Sequence, residues 1–302
     1  MKDLWELRTK QKVFDICDVR VGGSPGENPT VLIGSIFYEG QKILVDESRG
    51  EFDERATEKL VSIHQEFSDK TGNPFMLDIG GSTSQALIKF LDFVADVTDV
   101  PLLIDGASSP VRLGALDYIK QSGLSSRVVY NSITPESKPE ELEKIKETSL
   151  ESAVLLAYNV HDFTSRGRVN AVTKLLPAIS EAGISKPLLD ACVIDIPTLG
   201  MACSAIFDLK NELGLPSGCG AHNAIVTWRG LRTKMGPQAK KPSMAAANVL
   251  TAAAGSDFIL YGPIESASYV FPVIAMVDAA YGQLIIEKGQ KLGLNHPIFK
   301  IP

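Results

Sequence analysis

Asp78, Asp105, Asn131, Asn159, Tyr261 and the pair His222-Asn223 each close a short apolar run, and a further run holds Asp190 inside it and Asp195 just beyond. Taken singly, an Asp or Asn in such a place is a turn or cap residue, because its side chain bonds the nearby backbone. Taken together, Asp105, Asn131 and Asp190 each follow a strand-like apolar core and would point into one mouth. A ring of carboxylates and amides around an apolar mouth suits a neutral, flat ligand that hydrogen-bonds along its edge. A pterin has adjacent N–H and NH₂ donors that match the two oxygens of a carboxylate. Purines and other lactam rings do as well, so the residues alone leave the ligand open among these.

Other chemistries lack their residues. No Lys stands at the end of an apolar run, which argues against a Schiff-base aldolase. The histidines His64, His161, His222 and His296 are far apart, no His/Cys/Asp group has zinc spacing, and no protein-bound metal is expected. His64 falls on the polar side of a helical pattern and is expected to be solvated. There is no G-x-S-x-G elbow and no Walker loop. Gly80-Gly81-Ser82-Thr83, at a helix start, reads equally as a holder for an anionic tail or as a plain N-terminal turn. Cys17, Cys192, Cys203 and Cys219 form no CxxC pair, and Cys192 and Cys219 have no basic neighbour in sequence, so they read as buried structural thiols of a cytoplasmic protein.

The elements that would position these residues alternate along the chain. Strand-like runs cover Thr30–Tyr38, Phe75–Ile79, Leu102–Asp105, Val128–Asn131, Ala153–Asn159, Leu188–Ile194, Pro216–His222 and Phe258–Tyr261. Several are continuously apolar, as strands buried on both faces should be. Helical stripes lie between them: Ala56, Leu60, Ile63 and Phe67 after a capping Asp53; Leu87, Leu91 and Val94 after Ser82 or Thr83; Leu113, Leu116 and Ile119 after Ser109-Pro110; then Val172, Leu175, Leu176 and Ile179; Ala205, Ile206 and Leu209; and Ile225, Trp228 and Leu231. Gly236-Pro237 and Lys240-Lys241-Pro242 read as an insertion before an Ala-rich helix, Met244–Ala254.

Eight strand–helix units in 302 residues predict an α/β fold, a single (β/α)₈ TIM barrel. A doubly wound open sheet is the alternative, but no G-x-G-x-x-G follows the first strand. Gly22-Gly23-Ser24-Pro25-Gly26 sets off a short N-terminal hairpin (Val13–Ile16 and Val19–Val21), so residues 1–28 form an extension of one domain spanning 1–302. A net charge of −6 with no basic face argues against nucleic acid as a partner. Hydrophobic residues at 44% and mean hydropathy of +0.07 suit a soluble core-forming chain. No run reaches ~18 consecutive apolar residues, and Met1–Lys12 has no signal-peptide core, so neither membrane insertion nor export is expected.

Longer motifs carry a resemblance. Val21-Gly22-Gly23-Ser24-Pro25-Gly26-Glu27-Asn28-Pro29-Thr30, running into Gly34-Ser35-Ile36-Phe37-Tyr38, resembles the opening of the MtrH-type methyltransferases. That family takes in the MtrH component of tetrahydromethanopterin S-methyltransferase and bacterial methyltetrahydrofolate:corrinoid relatives of the glycine-betaine type. The likeness continues through Thr71-Gly72-Asn73-Pro74-Phe75, Tyr130-Asn131-Ser132-Ile133, Asp257–Pro263 and Asn295-His296-Pro297. It implies a TIM barrel that moves a methyl group between N5 of a reduced pterin and the cobalt of a corrinoid. The corrinoid would sit on a separate protein, since no D-x-H-x-x-G signature occurs here. The resemblance further implies that Asp105, Asn131 and Asp190 grip the pterin ring, with Asp195 the alternative in the sixth segment and Asp78 adding a hydrogen bond. Asn223, shared with or replaced by His222, would act at N5. Tetrahydrofolate is the favoured pterin over tetrahydromethanopterin, and a homodimer the favoured assembly. Two other readings use the same grip: a non-catalytic pterin-binding subunit of a complex, and a dihydropteroate-synthase-like enzyme. The latter would want a basic phosphate site where this chain has Ala221-His222-Asn223 and Tyr261-Gly262-Pro263.

Overall fold

The computed structural model describes residues 6–302, so the start of the Met1–Lys12 stretch lies outside the described residues. The chain opens with an antiparallel hairpin, β1 (Val13–Ile16) and β2 (Val19–Gly22). There follow β3 (Val31–Ile36), a small hairpin of β4 (Leu44–Asp46) and β5 (Glu51–Phe52), and α1 (Glu54–Thr71). Strands and helices then alternate: β6 (Phe75–Gly81), α2 (Ser84–Val97), β7 (Leu102–Gly106), α3 (Ser109–Gln121), β8 (Val128–Ile133), α4 (Pro139–Thr148), β9 (Ser152–Leu156), α5 (Ser165–Glu181), β10 (Lys186–Asp190) and α6 (Ile196–Leu213). The last part holds β11 (Ser217–Cys219), α7 (His222–Val226), α8 (Lys240–Ala253), β12 (Phe258–Pro263), α9 (Ala267–Glu287) and α10 (Pro297–Lys300). Eight strands, β3 and β6 to β12, close into a barrel with parallel pairing all round, as the sequence pattern predicts.

Burial explains the unbroken apolar runs. Alternate side chains point inward, where Ile33, Met76, Leu103, Val129, Val154, Leu188 and Phe258 fill the barrel. Their neighbours Leu32, Leu77, Leu102, Tyr130 and Ile259 point outward against the helices. Ile16, Val19 and Val21 of the N-terminal hairpin join the inner cluster and plug the barrel from the end where the strands begin. Helix starts follow the expected capping chemistry at Asp53 and Thr83, whose side chains accept from Ala56 N and Ala86 N.

Several sequence expectations need correction. His64 is fully buried, not solvated. It shares a face of α1 with Thr57 and Val61, because α1 is wedged against both the barrel and α9 and its inner face is wider than the apolar stripe. Its ring stacks on Phe75 at 4.4 Å, and Nε2 meets the Tyr261 hydroxyl at 3.2 Å. Only the absence of a side chain at Gly34 leaves room for this pair: a Cβ there would lie 2.5 Å from the Tyr261 hydroxyl. Burial pulls His64 down to about 3, so it is neutral. The cap of α3 is Ser108, one residue earlier than the pattern suggests, and Pro110 stands inside its first turn. The stripe Ile225–Trp228–Leu231 is not one helix: α7 ends at Val226, and a wide turn over Leu231–Met235 follows. Lys240-Lys241-Pro242 begins α8 itself rather than an insertion, since Pro is tolerated in a first turn. Of the cysteines, Cys192 and Cys219 are buried but Cys17 and Cys203 are partly exposed.

Two buried polar clusters secure the end of the barrel away from the strand C-termini. Asp278 of α9 accepts from Thr30 N (2.9 Å), Thr30 Oγ1 (2.8 Å) and Asn73 Nδ2 (2.6 Å), fastening the start of β3 to the last long helix. That helix region, Ile264–Glu287, has the length and mean hydropathy (1.6) of a membrane span, yet Val270, Phe271 and Ile274 are buried against the barrel. Lys210 Nζ reaches both oxygens of Asp257 at 2.6 Å and the Gly23 carbonyl at 2.9 Å, while Asp257 also accepts from Ser217 N. Removing one member of a buried ion pair strands the other charge, at a cost of about 3–5 kcal/mol. Lys210→Met should therefore lower the free energy of urea unfolding by about that amount; an unchanged midpoint and slope would contradict this role.

Candidate active site at the mouth of the barrel

At the C-terminal ends of the strands lies a cavity of about 500 Å³, lined by Ser35, Asp78, Asp105, His222, Asn223 and Gly262 among others. A cavity of about 590 Å³ at the opposite end is lined by Asp18, Arg20, Asn295 and His296. Chemistry in parallel barrels belongs to the C-terminal end, where loops carry the reactive groups.

Four neighbouring strands build one wall. Asp78 on β6 is 4% exposed and accepts from Ser35 Oγ of β3 at 2.9 Å and from Asn131 Nδ2 of β8 at 3.1 Å. A register shift in β8 just after Asn131 ends the regular ladder where that side chain turns to Asp78. Asp105 on β7 stands between them in the sheet, paired in register with Asn131 and Gly80. Asp78 is raised chiefly by burial, and Asp105, whose side chain is exposed at the mouth, is raised by partial desolvation there and by the Asp78 charge, with Arg112 opposing that rise. Two such carboxyls cannot both ionise cheaply, so the pair retains a proton to higher pH than either would alone.

Asp190, the last residue of β10, accepts from Cys192 N at 2.7 Å and is pushed up to about 6, mainly by burial. Asp195, the other acid of that segment, has a different setting. Its carboxylate accepts from Thr198 N while Thr198 Oγ1 accepts from Asp195 N, a reciprocal cap on α6. Asn159 lies past the end of β9 and accepts from His161 N within its own loop. Tyr261 points outward to His64, away from the mouth. Thr83 caps α2, and Ser82 Oγ and Thr83 Oγ1 donate to the carbonyls of Glu47 and Ser48, so this turn ties the β4–β5 hairpin beside the cavity.

One set of known proteins resembles this chain in sequence and another in its barrel. The family model described as "Tetrahydromethanopterin S-methyltransferase MtrH subunit" matches residues 9–293. The chain belongs to the MtrH family. It is 40% identical to the MtrH protein of the Methanopyrus kandleri tetrahydromethanopterin S-methyltransferase, over 97% of this chain and 96% of that protein. The same-named protein of Methanothermobacter thermautotrophicus is 38% identical over 99% and 100%. The corresponding component of a putative mtx methyltransferase from Methanosarcina mazei is 35% identical over 98% and 99%. Among solved structures, dihydropteroate synthase of Yersinia pestis superposes with a TM-score of 0.63 at 16% identity, covering 90% of this chain and all of that one. That of Xanthomonas albilineans gives 0.59 at 18%, covering 92% and 99%. These two likenesses establish the barrel fold.

In this MtrH-family barrel, His222 and Asn223 open α7 on the far side of the cavity. His222 Nδ1 lies 2.9 Å from the Leu260 carbonyl. A carbonyl only accepts, so the proton is on Nδ1 and Nε2 keeps its lone pair. Burial lowers the imidazole, which is therefore neutral near pH 7. The Asn223 side-chain amide has no hydrogen-bond partner among the described residues and lines the cavity. Sequence reasoning missed three groups here: Ser35, which orients Asp78; Arg112, which acts on Asp105; and Gly262, on which the His222 ring packs. A Cβ at Gly262 would lie 2.8 Å from His222 Cγ and Cδ2, and its φ is +84°. Gly262→Ala should thus displace the His222 ring and cost about 1–2 kcal/mol for the left-handed backbone alone. The His222 imidazole resonances, followed by NMR together with thermal unfolding, report both effects; unchanged shifts would show that the glycine does not hold the ring.

Proposed function

We propose that this MtrH-family protein transfers a methyl group between N5 of a reduced pterin and the cobalt of a corrinoid carried on a separate protein. The observation that carries the reading is the convergence, at one mouth, of Asp105 and the Asp78–Asn131 pair on one side with neutral His222 and unpartnered Asn223 on the other. The cavity has a volume in the ~300–1,000 Å³ range of small-ligand sites. The names of the MtrH-family relatives, which include components of tetrahydromethanopterin S-methyltransferase, support the same reaction class.

In this reading the Asp190 carboxylate takes the adjacent N–H and NH₂ donors of the ring; Cys192 N occupies only part of its acceptor capacity. Asn131, oriented by Asp78, supplies a directed amide, and Asp105 closes the edge. A tertiary amine is a poor methyl donor because the departing nitrogen gains negative charge. The Asn223 amide hydrogen-bonds to N5 as that charge develops, an interaction stronger in the transition state than before it. The proton N5 takes up comes from water by way of His222 Nε2. In the opposite direction the unmethylated N5 loses a proton, and His222 Nε2 is the acceptor its tautomer leaves free. The corrinoid cobalt supplies the other methyl-carrying centre; the barrel orients the pterin toward it. Phe163 and Ile194, 44% and 41% exposed in the loops after the fifth and sixth barrel strands, and Val226, 63% exposed at the end of α7, offer an apolar rim to the corrinoid protein.

Tetrahydrofolate, favoured from sequence, and tetrahydromethanopterin, present in the relatives' names, share the ring that these residues read. A homodimer belongs to the same reading. The uncharged outward stripe Pro272, Met276, Ala280 and Leu284 of α9, beside Leu250 of α8, is the face offered for it. Cytoplasmic location suits the unpaired cysteines.

The test mixes purified protein with methylcobalamin or cob(I)alamin and each pterin in turn, following the corrinoid absorbance. Turnover with one pterin is the expected result, and none with either would overturn the reading. Asp190→Ala should weaken pterin binding about 10- to 100-fold by calorimetry, the size of a lost hydrogen bond to a charged group. In the wild type the accepting form is the carboxylate, so affinity should hold at neutral pH and decline as pH falls through about 6. Asn223→Ala should lower kcat with little change in pterin Kd; a large rise in Kd at normal kcat would remove it from N5.

A further inference from the structure

Two arginines stand behind the mouth, Arg168 buried and Arg112 half-buried, and neither is assigned to the ring itself. Arg112 of α3 donates from Nη1 to the Gly106 carbonyl at 3.1 Å and from Nη2 to the Ser132 carbonyl at 3.5 Å. Arg168 of α5, 2% exposed, donates from Nη1 to the Ala191 carbonyl at 2.9 Å and the Thr198 carbonyl at 3.5 Å. Gly106, Ser132 and Ala191 are the residues immediately after Asp105, Asn131 and Asp190. Each side chain assigned to grip the ring is therefore followed by a carbonyl that one of two guanidiniums holds.

We propose that Arg112 and Arg168 are positioning residues for the pterin: each fixes the strand-end backbone beside a ring-gripping side chain, Arg112 for Asp105 and Asn131 together and Arg168 for Asp190. The inference rests on the functional reading above, in which those three residues hold the ring. Neither arginine forms an ion pair with Asp105 or Asp190, so both carboxylates stay available to a ligand. Arg112 is itself anchored: Glu141 Oε1 of α4 lies 3.4 Å from Nη2, the Tyr130 hydroxyl donates to that same oxygen at 2.5 Å, and the guanidinium lies over the Tyr130 ring at 5.2 Å. A planar fork with five donors can bridge two carbonyls of adjacent strands, which a lysine ammonium does with less directional control.

Charge gives the arrangement a second effect. Asp105 faces Asp78 from β6 and Arg112 from α3, with Tyr130 and Glu141 beyond; Asp190 faces Arg168 from α5 and the thiols of Cys192 and Cys219. In each case desolvation raises the acid and the arginine pulls it back toward the accepting, ionised form.

The test compares Arg112→Gln, Arg112→Lys, Arg168→Gln and Arg168→Lys with wild type. One readout needs no ligand: ¹³C NMR titration of the aspartate carboxyls, with folding checked by circular dichroism. The other is the Kd for methyltetrahydrofolate and methyltetrahydromethanopterin by calorimetry. Arg112→Gln should raise the Asp105 midpoint and leave Asp190 in place, and Arg168→Gln the reverse; pterin binding should weaken about tenfold or more in both. The lysine variants should restore the midpoints but not the affinity. Folded glutamine variants with wild-type midpoints and wild-type Kd would overturn the proposal. If a glutamine variant fails to fold, its lysine counterpart decides by the same Kd, wild-type affinity being the contrary result. Failure of the wild type to bind either pterin would instead overturn the functional reading, a distinct outcome.

Discussion

Carboxylates buried at the strand ends, Asp78 and Asp190, are the constraint around which this molecule is built. Transferring an ionised acid out of water is costly unless hydrogen bonds or a cation compensate. At Asp78 the compensation comes from Ser35 and Asn131, and at Asp190 from the Cys192 amide. None of these neighbours is a full counter-ion, and the acids remain raised. In the proposed function a ligand bearing N–H donors would relieve that cost, so the shortage of partners at these acids would supply binding energy. Closure of the sheet makes the arrangement possible, because only a closed barrel brings residues of β3, β6, β7, β12 and the α7 start around one cavity, with Asn131 of β8 reaching it through Asp78.

The two ends of the barrel treat buried charge differently. At the N-terminal end Lys210 meets both oxygens of Asp257, and Asp278 takes three hydrogen bonds from Thr30 and Asn73. The charges there are compensated within the protein and serve to lock β3, β12 and helices α6 and α9 together. At the mouth, by contrast, Asn223 and His222 Nε2 keep hydrogen-bonding capacity in reserve. This division follows the general separation of stability and chemistry between the two faces of such barrels.

The barrel was legible in sequence because burial on both faces writes continuous apolar runs, and the strand-end polar residues stand out against them. Legibility failed where tertiary contact overrode local pattern. His64 looks solvated by helical periodicity, yet Gly34 creates the space that Tyr261 and His64 share. The first-turn acids and scattered lysines of α4 hide its inner residues Leu142 and Ile145. Asp190 and Asp195 look equivalent in sequence; only the backbone shows that one caps α6 while the other ends β10. Arg112 and Arg168 carried no signal at all, since their partners are carbonyls of residues far away in sequence or on another element. Ring-gripping roles for Asp105, Asn131 and Asp190 came from the family resemblance, with the residue pattern alone supporting a hydrogen-bonding site of unspecified ligand.

The most direct measurement of the central claim is a crystal structure of the protein with a 5-methylated reduced pterin bound. The ring is expected in the C-terminal mouth, its N–H and NH₂ edge on the Asp190 carboxylate, Asn131 and Asp105 on the ring, and Asn223 the amide nearest N5. A ring seated elsewhere, such as the opposite cavity beside Asn295 and His296, or one in the mouth that leaves Asp190 uncontacted, would contradict it.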